Sequence, residues 1–421
     1  MSGLKILRLA IVLLAFSVTS AGAQTTVIRA GNLIDPATGR VAKNQMILVR
    51  DGKITEVGAT VSAPAGAQVV DLSNSWVMPG LMDAHVHLTF SSGPLSGGIS
   101  GSYLVEGSGF RALRGAHNAR IVLEAGFTAV KDIGNSANYA DVDLRKAIER
   151  GWFAGPTMLT TGKIIAAFGG QSSGIPPEQG RFWHFEYIDA DTPDEIRKAV
   201  RQNIYYGANA IKLVADNNAY FYSLEEIKAA VEESHRAGVT CSIHVFGGEA
   251  ARNVILGGAD SIEHGPYLSD ELLQLMKSKG TILVGTDFPE EHLKAMDFNA
   301  VTDGKTLGQH FIDRLRRAHR IGVKLAFGSD VVLDMPGRTR ADMMFDYLDV
   351  WTAAGVPPAD ILKAMTTNVA ELFRWPGRRG AIAAGQAADI IAMPQSPLEN
   401  INALRKVNFV MKDGVVIKNT K

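Results

Sequence analysis

Between about residues 79 and 379 the chain alternates short apolar runs with amphipathic stretches. The apolar runs are Gly80–Leu88, Phe127–Ile133, Thr157–Ile165, Ala210–Ala215, Val239–Val245, Ser261–His264, Thr281–Val284 and Lys324–Gly328. Each has strand length and reads as a buried strand. Helical periods separate several of them, as in Leu224–Ala237 and His310–Ile321. Ser223 with Glu226 three residues later is a capping box ahead of the first helix, and Gly238 stops it. Eight strands in α/β alternation predict a (β/α)8 barrel of the TIM type over residues 79–379.

The two ends carry a different pattern. Thr26–Ala30, Gln45–Arg50, Ile54–Gly58 and Gln68–Leu72 read as strands, with Asp51-Gly52 as a hairpin turn. Asp389–Met393, Val407–Lys412 and Val415–Lys418 repeat the pattern, again with an Asp-Gly turn at 413–414. Residues 24–78 and 380–421 are therefore expected to pair into one small β-sandwich domain. Two segments interrupt the barrel alternation. Thr89–Ser108 and Phe168–Gly180 are rich in Gly and Ser and follow candidate strands, which puts them at the C-terminal mouth where substrate loops lie.

Composition adds an address and removes some functions. Lys5 and Arg8, an apolar Leu9–Phe16 and Ala21-Gly22-Ala23 read as a signal peptide over residues 1–23. Export to the periplasm or medium is expected, without a stable membrane span after cleavage. Lys plus Arg and Asp plus Glu are both 43, so charge gives no support to nucleic-acid binding. The only cysteine, Cys241, lies in an apolar run and reads as a buried, inert thiol.

The chemistry sits where apolar strands end in polar residues, as barrel active sites do. His85 and His87 are spaced His-x-His, so both rings project from one face of a strand. Two imidazoles aimed into one volume make half of a metal site, although a surface pair looks the same in sequence. Lys212 stands within Ala210-Ile211-Lys212-Leu213-Val214. It must either snorkel to the surface or lose its charge, and a neutral buried lysine can take up carbon dioxide as a carbamate. His244, His264 and Asp330 end three further apolar runs. The order His-x-His, Lys, His, His, Asp on strands one, four, five, six and eight is far more specific than any member alone.

With these residues the chain resembles the amidohydrolase superfamily over essentially its whole mature length. Pro79–Leu88 resembles the opening PG-x-x-D-x-H-x-H signature. Gly126–Asp132, Ile211-Lys212-Leu213, Ser261–Gly265 and Gly328-Ser329-Asp330 are similar to the imidazolonepropionase-related, prolidase-like carboxypeptidase branch, which neighbours ochratoxin-hydrolysing enzymes. The resemblance implies two divalent metal ions, zinc by default for such N/O ligands. His85, His87 and Asp330 would hold one, His244 and His264 the other, and carbamylated Lys212 would bridge them. A hydroxide between the ions would attack the amide carbonyl, with Asp330 as the general base.

The implied reaction is hydrolysis of the C-terminal amide of dipeptides or N-acyl amino acids, bulky aromatic amides of the ochratoxin type included. The alternative is a cyclic amide or lactone hydrolase on the same barrel. Relatives carry a histidine in a Gly-Gly-His loop where this chain has Gly169-Gly170-Gln171, and Gln171 cannot titrate. Gln171, Tyr220 and Tyr222 are candidate pocket residues, and Arg252 and Arg338 are candidate anchors for a substrate carboxylate. Homo-oligomerisation is expected by resemblance only. No ligand type is missing from the pattern, which argues against a catalytically dead binding protein.

Overall fold

The computed structural model describes residues 25–92, 98–172, 175–217, 220–298 and 300–420. The expected signal peptide lies outside the described residues. Among those residues, no helix is long and apolar enough to cross a membrane.

The two ends of the chain meet in one seven-stranded sheet. Thr26–Asp35 pairs antiparallel with Arg40–Arg50 and parallel with Gln68–Pro79. Gln68–Pro79 in turn pairs antiparallel with Ile390–Met393, which joins the N-terminal strands to the C-terminal ones. Ile28, Ile47, Val49, Val77, Ile390 and Phe409 bury into a shared cluster drawn from both ends. Only Gly80 separates this sheet from the next strand, Leu81–Val86. A Cβ at residue 80 would lie 2.2 Å from the Thr128 hydroxyl oxygen, so the Pro-Gly step is a packing requirement.

The middle of the chain forms parallel strands joined by helices. Leu81–Val86, Phe127–Asp132 and Thr157–Thr160 pair in parallel. A second parallel set runs through Ile164–Ala166, Ile211–Val214, Cys241–Gly247, Ser261–Tyr267, Ile282–Val284 and Leu325–Ala326. The ring closes where Ala84 N–H donates to Phe327 O at 2.8 Å and Asp330 N–H to His85 O at 2.7 Å. The result is an α/β barrel.

The expected third strand, 157–165, is broken at Thr161–Lys163, where Gly162 has φ +65°. Thr160 O accepts from Asn209 and Ala210 N–H at 3.0 and 3.2 Å, which keeps the broken strand attached to the fourth. An unexpected short strand, Tyr187–Asp189, adds to Ile164–Ala166 beyond the Gly/Ser loop. The capping box at Ser223 and Glu226 is formed ahead of Leu224–Arg236. The helix expected from His310 starts earlier, at Leu307, because Thr306 and Gln309 form a second box.

Candidate metal centre

Strand ends deliver the polar side chains to one buried volume. His85 and His87 are both nearly inaccessible, as are His244, His264, Lys212 and Asp330. His87 Nε2 lies 3.0 Å and His85 Nε2 3.5 Å from Asp330 Oδ1, and His264 Nδ1 lies 3.6 Å from Asp330 Oδ2. Ring centroids of His85 and His264 are 5.2 Å apart, and those of His244 and His264 4.4 Å. Ligand atoms of His85, His264 and Asp330 fall within 4.8 Å of one another, a grouping able to hold a metal ion.

The surrounding hydrogen bonds fix which nitrogen faces that volume. His85 Nδ1 is 2.7 Å from Glu263 Oε2, and His87 Nδ1 is 2.7 Å from the Gly134 carbonyl. Both partners accept only, so each Nδ1 donates to its partner and each ring turns Nε2 toward Asp330. His85, depressed to about 4 by burial, is neutral near pH 7, so its Nε2 lone pair faces the Asp330 carboxylate at 3.5 Å in a dry pocket, an arrangement that a cation among them would relieve. The residues therefore fit a metal ion, and the carboxylate behind His85 is the usual orienting partner of a metal-bound histidine.

The protonation equilibria carry the same message. Burial depresses His85 to about 4 and His244 to about 3, and it lowers His264 well below the usual imidazole range. His87 is the exception. Burial opposes its charge, but the Asp330 bond and charge outweigh that and raise it. Burial likewise raises Asp330, yet His85 and His87 more than offset this and hold the carboxyl low. Lys212 is pulled down to about 8 by burial, against Glu263 and Asp330, so roughly a tenth of it is neutral near pH 7, far more than an ordinary lysine.

Further hydrogen bonds tie these groups to the frame. Asp83 accepts from His85 N–H at 2.8 Å and from Ser329 N–H at 3.2 Å, cross-linking the first strand to the segment carrying Asp330. Gly328 lets that segment approach, since a Cβ there would sit 2.8 Å from His85 Cβ. Below His85, Glu263 accepts from Ser261 Oγ at 2.5 Å and lies 3.9 Å from Lys131 Nζ, which donates to Ser242 Oγ at 2.5 Å. Thr286 Oγ1 is 2.6 Å from His264 Nδ1.

Several expected pocket residues are placed elsewhere. Tyr222 is fully buried and donates its hydroxyl to Ala190 O at 2.5 Å, so it packs the core and reaches no substrate. Arg252 lies on the outer helix Gly248–Leu256 and pairs with Glu271 at 2.5 Å. Arg338 follows the last barrel strand but is neutralised by Asp346 at 2.6 Å. Gln171 is exposed and accepts from Tyr187 OH at 3.1 Å. Tyr220 is half exposed on a short hairpin, 3.4 Å from Glu226.

Sequence reasoning missed a different aromatic pair. Phe246 and Tyr267 are exposed just beyond His244 and His264, with the Phe246 ring 4.8 Å from His244 and 6.4 Å from Tyr267. Their positions two and three residues after a site histidine were the available signal. Cys241 is buried, its thiol pushed up to about 12 by burial, and is no nucleophile.

A parallel barrel whose strand ends gather histidines, a lysine and an aspartate defines the class, and comparison with known proteins makes it definite. Residues 76–417 match the amidohydrolase family, to which this chain belongs. An ochratoxinase from Aspergillus niger is 29% identical over 94% of this chain and 87% of its own length. The A. niger ochratoxinase crystal structure superposes with a TM-score of 0.79 at 26% identity, covering 94% of this chain and 96% of that one. A Xaa-Pro dipeptidase with methionine bound in its active site gives 0.80 at 27% identity, covering 94% and 100%. The chain is thus similar to prolidase-like amidohydrolases.

Proposed function

We propose that this protein is an exported, zinc-dependent carboxypeptidase-like amidohydrolase that cleaves the C-terminal amide of N-acyl amino acids or dipeptides, with preference for bulky aromatic acyl groups. The observation that carries the reading is the exposed Phe246–Tyr267 pair standing beside a buried histidine and aspartate cluster. The ochratoxinase and dipeptidase relatives support the same amide chemistry.

His85, His87 and Asp330 would hold one ion and His244 and His264 the other. Lys212, buried and partly neutral, would carry a carbamate that supplies anionic oxygens to both. Bound ions supply Lewis-acid polarisation and water of lowered pKa. The chain's own residues do the rest. Asp330, held ionised by the imidazoles at 3.0 and 3.5 Å, takes the proton from attacking water and returns it to the leaving amine. The aromatic pair offers flat apolar surface to the acyl group and screens that side of the cleft from water.

The test is purified mature protein loaded with zinc in bicarbonate and offered N-acyl amino acids with free or amidated C-termini. Products are read by mass. Cleavage restricted to the free acids, faster for aromatic than for short acyl groups, supports the proposal. Cleavage of both forms, or of neither, moves the substrate class to cyclic amides or lactones.

A further inference from the structure

We propose that Asp216 is the positioning residue for His244: its carboxylate receives the Nε2–H of that ring and turns the opposite nitrogen, Nδ1, toward the metal centre. The inference rests on reading His244 as a metal ligand.

The four histidines of the centre do not share one arrangement. His85, His87 and His264 each have Nδ1 engaged, by Glu263 at 2.7 Å, the Gly134 carbonyl at 2.7 Å and Thr286 Oγ1 at 2.6 Å. His244 is reversed, because its polar neighbour is on the other nitrogen: Nε2 stands 3.6 Å from Asp216 Oδ1. That oxygen is buried and has no hydrogen-bond partner. The second oxygen of the same carboxylate is fixed, accepting from Phe246 N–H at 2.7 Å.

The backbone explains the juxtaposition. Val214 is in register with His244, and Ala215 N–H donates to His244 O at 2.9 Å, so Asp216 emerges beside the ring. Closing the gap to a normal N–H···O distance needs a shift of roughly 0.7 Å. A histidine that binds a metal through one nitrogen characteristically donates its other N–H to a carboxylate or carbonyl. Asp216 is the group placed to accept it, and the bond would satisfy an otherwise orphaned oxygen. Because the same carboxylate holds the Phe246 amide, it sets the metal ligand and the aromatic wall in one frame.

The test is zinc titration of the apoprotein in bicarbonate against a chromophoric chelator, with far-UV circular dichroism as the folding control. Wild type is expected to take up two equivalents. Asp216→Ala should keep one tight site and weaken the other about ten- to hundredfold. Asp216→Asn retains an acceptor oxygen and should stay close to wild type. Two tight sites in Asp216→Ala would overturn the proposal. So would an Asp216→Asn as weak as the alanine variant, since that would mean the charge itself is the ligand. Should alanine unfold the chain, 15N NMR of the zinc-loaded wild type decides: a proton on His244 Nε2 supports the assignment and a proton on Nδ1 overturns it. Wild type binding less than one equivalent would instead refute the metal-centre reading, and the role of Asp216 with it.

Discussion

Replacing Glu263 with Gln should destabilise the protein through charge, with almost no change of shape. Glu263 and Lys131 are both fully buried, with Lys131 Nζ 3.9 Å from Oε1. At an effective dielectric near 20, that separation is worth about 4 kcal/mol. The titration of Glu263 gives a similar size. Burial raises its carboxyl, but Lys131, the His85 bond and Lys212 overcome this and hold it at about 2 against an ordinary 4.5. At about 1.4 kcal/mol per unit this is about 3 kcal/mol.

The sign follows from the depressed value. The contribution is present above the unfolded carboxyl pKa and is lost as pH falls through about 2, so it is fully expressed at neutral pH. Glu263→Gln is therefore expected to lose about 3 kcal/mol at pH 7, because Lys131 is left buried without its counter-charge. Lys131→Met should cost a similar amount. The double variant should cost clearly less than the sum, because it buries no unpaired charge. Guanidinium unfolding midpoints of the metal-free proteins measure all four corners of this cycle. Strict additivity, or a wild-type midpoint for Glu263→Gln, would refute the argument.

Three further outcomes follow from the same geometry. Asp330→Asn should retain part of the zinc, measured by atomic absorption, yet show no turnover, and a near-normal rate would remove Asp330 as the base. Asp141 is lifted to about 7 by burial and by the Asp132 charge, so its contribution, complete below the unfolded value of 3.8, is lost as pH rises through about 7. Asp141→Asn should then match wild type only below about pH 3.8, exceeding it by about 2 kcal/mol near pH 5 and about 4 kcal/mol near pH 8, read from denaturant midpoints at each pH. Gly328→Ala would put a Cβ 2.4 Å from Val284 Cγ1 and 2.8 Å from His85 Cβ, so about 1–3 kcal/mol of stability and part of the bound zinc should be lost together.

The parts of this architecture that are legible in sequence are those written locally. Strands such as Ile211–Val214 announce themselves as apolar runs, and a polar residue at the end of such a run is conspicuous. That signal picks out His85, His87, His264 and Asp330, which the fold gathers around one buried volume. The same signal applied to Lys131 and Glu263, charged residues inside apolar strands, would have exposed the network beneath His85. Thr286, the Gly134 carbonyl and Asp216 are different, because each acquires its role only from a partner on another strand. Tyr222 misleads for a related reason: an aromatic beside a helix cap reads alike whether its hydroxyl meets substrate or, as here, the Ala190 carbonyl.

Strain is distributed around the centre in a way that argues for a built site over a chance cluster. His264, Thr286 and Asp330 have φ of 71°, 46° and 50°, although none is a glycine and Thr286 is β-branched. Left-handed residues of this kind cost of order 1–3 kcal/mol each and persist only where the surroundings over-determine them. Here the surroundings are the site itself. Thr286 is locked by its bond to His264 at 2.6 Å, and Asp330 by its N–H to His85 O at 2.7 Å. The first strand, by contrast, is held through ordinary backbone by Asp83 and by the Gly328 approach. One side of the barrel thus supplies a rigid pair of imidazoles, and the strained side turns His264 and Asp330 to meet them. The three fall on consecutive strand ends, each where the backbone turns a site residue or its hydrogen-bond partner inward.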